Sequence, residues 1–167
     1  AALKQNMGAI VISLDSGCSE TYKRIKQVNC FDKVIENIKK YSEADSENVI
    51  IKYIIVPGYN DTLDEIDKFF NLMKKLQIRK IALDIDCLYA RKYENKYLPP
   101  HIYLLDDYFE NKAEKMGFIL LIYSFISYVK RDRTVKKYPF VNFKPFYSLF
   151  INLLNDKSKN LDYFSKS

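Results

Sequence analysis

The sequence has one histidine, three cysteines and no apolar run long enough to cross a bilayer. Each scarcity excludes something. Cys18, Cys30 and Cys87 are odd in number and widely spaced, so they do not form the disulfide framework that staples small secreted domains; they predict a reducing, cytoplasmic setting. The longest apolar stretch, FILLIYSFISYV at 118–129, is 12 residues, against about 20 for a membrane-spanning helix. No signal-peptide pattern stands at the N-terminus, so no membrane partner is expected. Much of the +6 net charge lies in VKRDRTVKK (129–137) and NDKSKN (155–160). These runs come without an RNA- or DNA-binding signature and read as solvated surface.

What is present is a repeated unit. With 167 residues and 48% apolar side chains, the chain can bury a core of ordinary domain size. AALKQNMG (1–8) reads as a helix tail stopped by Gly8, so the expectation is that the chain starts inside a larger fold. Four runs rich in Ile, Val, Leu or Tyr follow as predicted strands: AIVISLDS (9–16), VIIKYIIV (49–56), KIALDIDC (80–87) and FILLIY (118–123). Between them lie segments of helical period. Phe31, Val34, Ile35, Ile38 and Tyr41 share one face. Leu63, Ile66, Phe69, Phe70, Met73 and Leu76 share another, with Asp61 or Thr62 placed to cap it. Ile102, Leu105, Tyr108, Phe109, Ala113 and Met116 form the third. Strand, helix and strand in alternation predict an α/β fold with parallel strands, a partial TIM-like barrel.

Strand parity then singles out polar residues. Because side chains alternate faces, Ser13 and Asp15 are expected opposite Ile10, Ile12 and Leu14; Lys52 opposite Ile51, Tyr53 and Ile55; and Asp84 and Asp86 opposite Ile81, Leu83 and Ile85. One face of each strand suits the helices and the other carries charge. Buried unpaired charges cost several kcal/mol, so these groups must meet each other, water or a ligand. In a barrel they would sit near the C-terminal mouth, where such folds place their sites. Three carboxylates against Lys52 alone predict a net negative lining that favours a cationic ligand. The alternative is a structural network, with Lys52 paired to Asp15 or Asp84 and nothing bound.

The stretch ISLDSGCSETYKRIKQVNCFDKVIENIKKY, followed by VIIKYIIVPGYNDTLDEIDKFFNLMKKLQIRKIALDID, resembles the second half of the radical S-adenosylmethionine (SAM) enzyme core. The carriers are a strand ending Ser-Leu-Asp-Ser, the Glu-x-Tyr-x-x-Ile-Lys pattern, the Phe-x-x-Val-x-x-Asn-Ile pattern, and a strand running into Pro-Gly-x-Asn-Asp. Residues 8–86 hold the match, and YFENKAEKMGF (108–118) looks like the following helix-to-strand step. The resemblance implies the second half of a (β/α)6 partial barrel over residues 1–124. Residues 125–167 form an extension of unassigned role. It also implies SAM and, in the intact protein, a 4Fe-4S cluster held by a C-x3-C-x2-C loop, whose reductive cleavage of SAM starts radical chemistry on an unidentified substrate. That loop is not among the cysteines of this chain, which are 12 and 57 positions apart. The chain is therefore expected to be a fragment, inactive alone and unable to hold the cluster.

Carried over by position, Ser13 and Asp15 look like residues that approach the SAM ribose and methionine end. Lys26 stands where many relatives have an Arg for the SAM carboxylate, and Lys52 is a second candidate for that contact. Asp84 and Asp86 face the space where SAM or substrate would lie. His101 and Cys18 are read as structural, PGYND (57–61) as a turn with Asn60 or Asp61 capping the next helix, and YPFVNFKPFYSLF (138–150) as packing against the barrel or closing its base. The rival reading is a non-enzymatic α/β half-barrel acting as a nucleotide-binding or interaction module. In either case the strand at 9–16 is expected to leave an open sheet edge, to be met by self-association or by a missing N-terminal half.

Overall fold

The computed structural model describes residues 8–93 and 98–121. β1 (Ile10–Ser13) leads through α1 (Ser19–Lys26), α2 (Phe31–Asp45) and a 3-10 turn (Ser46–Asn48) into β2 (Val49–Ile55). α3 (Leu63–Lys75) connects β2 to β3 (Lys80–Ile85), and α4 (Cys87–Arg91) with α5 (Pro100–Met116) connects β3 to β4 (Ile119–Leu121). The strands lie in the order β1-β2-β3-β4 and every pairing is parallel. The fold is α/β, and the described residues form a four-stranded, all-parallel sheet, consistent with part of a β/α barrel.

The helical period and the strand parity meet in one core. Ile51, Tyr53 and Ile55 of β2 and Ile81, Leu83 and Ile85 of β3 are buried in one cluster with Ile38 of α2, Ile66, Phe69, Phe70 and Met73 of α3, and Ile102, Leu105 and Phe109 of α5. The rings of Tyr53, Phe69, Phe70 and Phe109 pack with centroids 4.7 to 5.9 Å apart, tying β2 to both helices. Thr62 caps α3 by accepting from the Glu65 N–H at 3.3 Å. Asp64 and Glu65 in its first turn and Lys74 and Lys75 in its last complement the helix dipole. α5 opens with Pro100 in its first turn and closes where Gly117 adopts a left-handed φ of 74°, which lets the Phe118 N–H reach Ala113 O at 2.9 Å.

Two expectations are corrected. The first strand ends at Ser13 and not near residue 16, because Asp15 turns to φ 61°. The third ends at Ile85, because Asp86 accepts from the Tyr89 N–H at 2.8 Å and becomes the N-cap of α4. Neither aspartate therefore continues the face of its strand. Of the residues expected to cap α3, Thr62 does so, while Asn60 and Asp61 serve the preceding loop. The helix tail ahead of Gly8, the boundary at 124 and the extension 125–167 lie outside the described residues. Among the described residues no helix is long and apolar enough to cross a membrane.

Candidate functional site

At the C-terminal end of β1 and β2 the backbone ladder gives way to side chains. The β1–β2 register runs to Ser13 beside Lys52, and the Leu14 N–H then bonds Lys52 O at 3.1 Å. One step on, Asp15 Oδ1 takes the Ile54 N–H at 3.2 Å, so a carboxylate extends the ladder beyond the strand. Its other oxygen is paired with Lys26 Nζ from the last turn of α1. Asp15 is 2% exposed, and burial raises its pKa above the ordinary carboxylate value despite the opposing Lys26 ammonium and Ile54 N–H.

Asn60 locks the same corner from the next loop. Its Nδ2 donates to Asp15 O and to Ile54 O, each at 2.8 Å, while its Oδ1 accepts the Val56 N–H at 2.7 Å. The Tyr53 hydroxyl reaches up from the core to donate to Asn60 O at 2.7 Å. Burial and the nearby Glu65 and Asp61 carboxylates hold the Tyr53 phenol above its usual pKa, and hence neutral. Gly17 completes the approach: a Cβ there would collide with the main chain of Lys68 and Phe69 in α3, so the loop after β1 lies directly against that helix.

One strand across, Lys52 Nζ bonds Asp84 Oδ2 at 2.8 Å, with the side chains 25% and 19% exposed. Ser13 is exposed beside Lys52 in the register. Lys52, Asp84 and Ser13 thus occupy the sheet face away from the helical core, as parity predicts. Asp15 departs from that arrangement: it is enclosed at the sheet corner. Asp86 caps α4. The expected count of three carboxylates against one ammonium is corrected, because Lys26 neutralises Asp15 and Lys52 neutralises Asp84.

Asn60 is the residue the sequence reading placed differently. Its only signal was its place in PGYND, directly after a strand, which any turn would share. His101 lies 3.9 Å from Asp61, and burial lowers its pKa. Cys18, Cys30 and Cys87 are free, and no group of three or more His, Cys, Asp or Glu among the described residues could hold a metal ion.

Comparison with known proteins gives partial matches. The chain is 33% identical over 97 residues to a GTP 3',8-cyclase of Clostridium botulinum (strain Okra), covering 57% of this chain and 30% of that one. It is 33% identical over 122 residues to a GTP 3',8-cyclase of Petrotoga mobilis, covering 71% of this chain and 35% of that one. No family model and no solved structure matches. The chain spans about a third of the length of these curated relatives. At this identity and coverage, the similarity to GTP 3',8-cyclases supports the resemblance read from the sequence.

Proposed function

We propose that this chain supplies part of the SAM-binding side of a radical SAM enzyme. The observation that carries the reading is the Lys52–Asp84 pair, an ammonium and a carboxylate 2.8 Å apart and both part-exposed on adjacent parallel strands, Lys52 midway along β2 and Asp84 one residue before the end of β3. Such a pair complements the α-carboxylate and α-ammonium of the methionine end of SAM. Ser13, exposed beside Lys52, is in reach of the same face. Asp15 and Lys26 complete the set; Lys26 is about a third exposed and offers an anion contact, while Asp15 holds it in place. Asp86, part-exposed at the start of α4, borders the same end of β3. SAM, when bound, would supply the radical precursor. The described residues do not fit an iron–sulfur cluster, since the three thiols do not gather with other ligands among them. Its ligands are assigned to a part of the protein beyond this chain.

The rival, a non-enzymatic interaction domain, is favoured by the mutual satisfaction of Asp15, Lys26 and the Ile54 N–H. β1, the outer strand of the sheet among the described residues, would then pair with a strand of another copy. Calorimetric titration of SAM onto the intact protein separates the two. Lys52→Ala should weaken SAM by about 1 to 3 kcal/mol, the range for losing a charge-assisted contact, with little change in thermal melting. Unchanged affinity with lower melting temperature would assign Lys52 to the structural network.

A further inference from the structure

A recess opens at the other end of the sheet. It is a groove of about 680 Å³ between α2, the end of α3 and the residues leading into β3 and β4. Ile78 and Arg79 precede β3 and Gly117 and Phe118 precede β4, so the groove lies at the N-terminal ends of these two strands, and Asp84 stands toward the opposite end of β3. Its walls are rich in donors. α2 contributes Lys39 and Ser42, the 3-10 turn after it contributes Ser46, and the facing wall contributes Lys74, Lys75 and Arg79.

The cations exceed what the fold requires of them. Arg79 is paired with Glu47. Lys39, Lys74 and Lys75 form no ion pair among the described residues, and Glu43 is the carboxylate in the lining. The C-terminus of α3 carries about half an elementary negative charge, which Lys74 and Lys75 together more than offset. Lys39 lies in the interior of α2 and answers no helix end. Three ammoniums and two hydroxyls thus share the lining with one carboxylate, in a recess open to water. That lining suits a hydrated, multiply charged anion and does not suit an apolar ligand.

We propose that this groove binds a chain of phosphates, as carried by a nucleoside polyphosphate or by a nucleic-acid backbone. Several negative charges in series can bridge Lys39 on one wall and Lys75 on the other, and the Ser42 and Ser46 hydroxyls donate to phosphate oxygens between them. The site is separate from the proposed SAM face and does not depend on it.

The test is an amide-resolved NMR titration of the full chain at low salt, with inorganic tripolyphosphate in one arm and a short single-stranded oligonucleotide in the other. Saturable shifts confined to Ser42, Ser46, Lys75 and Gln77 are expected, weakening as salt is raised. Preference for tripolyphosphate identifies a free polyphosphate as the source, and preference for the oligonucleotide identifies a nucleic-acid backbone. Lys39→Glu with Lys75→Glu should reduce affinity by about tenfold or more, while the charge-matched control Lys33→Glu on the exposed part of α2 should not. Circular dichroism confirms that each variant is folded. No saturable shift at the groove by about 10 mM tripolyphosphate would overturn the proposal. So would equal binding of polyglutamate, or equal loss in the Lys33 control.

Discussion

Asn60 and Asp15, 45 positions apart in sequence, are joined by a hydrogen bond of 2.8 Å from the side-chain amide to the main-chain carbonyl. Asn60 is fully buried and satisfies three main-chain groups that the ends of β1 and β2 leave open. Asn60→Ala strands them without water and should cost about 3 kcal/mol. Asn60→Asp removes the donor and places a carboxylate against two carbonyls, so it should cost at least as much at neutral pH. Urea denaturation of both variants measures this; losses under about 1 kcal/mol would show that solvent reaches the corner.

Asp15 gives the corner a pH dependence of definite sign. Its folded pKa is raised, so between the unfolded value near 3.9 and the folded one the native state binds more protons. Its contribution to stability is full below about 3.9 and is lost as pH rises through the folded pKa. Asp15→Asn should abolish that part of the profile. Asn keeps an acceptor for the Ile54 N–H and tolerates φ 61°, while Lys26 is free to hydrate. Asp15→Ala loses the acceptor and should cost about 2 kcal/mol across the range. Thermal melts from pH 3 to 8, roughly the span over which carboxylates titrate, distinguish the two. An Asn variant with an unaltered profile would remove Asp15 from the account.

Gly17→Ala tests the close approach of the first loop to α3. The added methyl meets helix backbone and not a side chain that can swing away, so a loss of about 2 to 4 kcal/mol is expected. Gly8→Ala, which meets nothing within 4 Å, is the matched control. Similar denaturation midpoints for the two would contradict the contact.

Phe109→Ala should be among the most damaging core changes, at about 3 to 5 kcal/mol, because the ring is fully buried against Tyr53, Phe69 and Phe70. Phe109→Leu should recover most of that loss. If the Ala variant loses less than about 1.5 kcal/mol, the aromatic cluster is not where the sheet and helices are joined.

The legible parts were those set by long periodic patterns. The face of α3, from Leu63 to Leu76, and the alternation of Ile51, Tyr53 and Ile55 were readable because burial repeats over several turns or residues. α1 and α4, at 8 and 5 residues, are too short for a period to register. The Lys52–Asp84 pair was visible as one of two options, since parity brought both residues to one face. The fate of Asp15 was not. Parity holds only while the strand continues, and a single left-handed residue turned that side chain from the sheet face into the corner. Asn60 was hidden for a related reason: its partners belong to two different strands, and nothing local records a contact across 45 positions.

The amide of Asn60 also fixes how this end of the sheet opens. By bonding Asp15 O, Ile54 O and the Val56 N–H through one side chain, it makes the exits of β1 and β2 a single cooperative unit. The Ile54 and Val56 amides should then exchange with deuterium at matching rates, in step with each other and not with the frayed strand edge, and Asn60→Ala should accelerate both together.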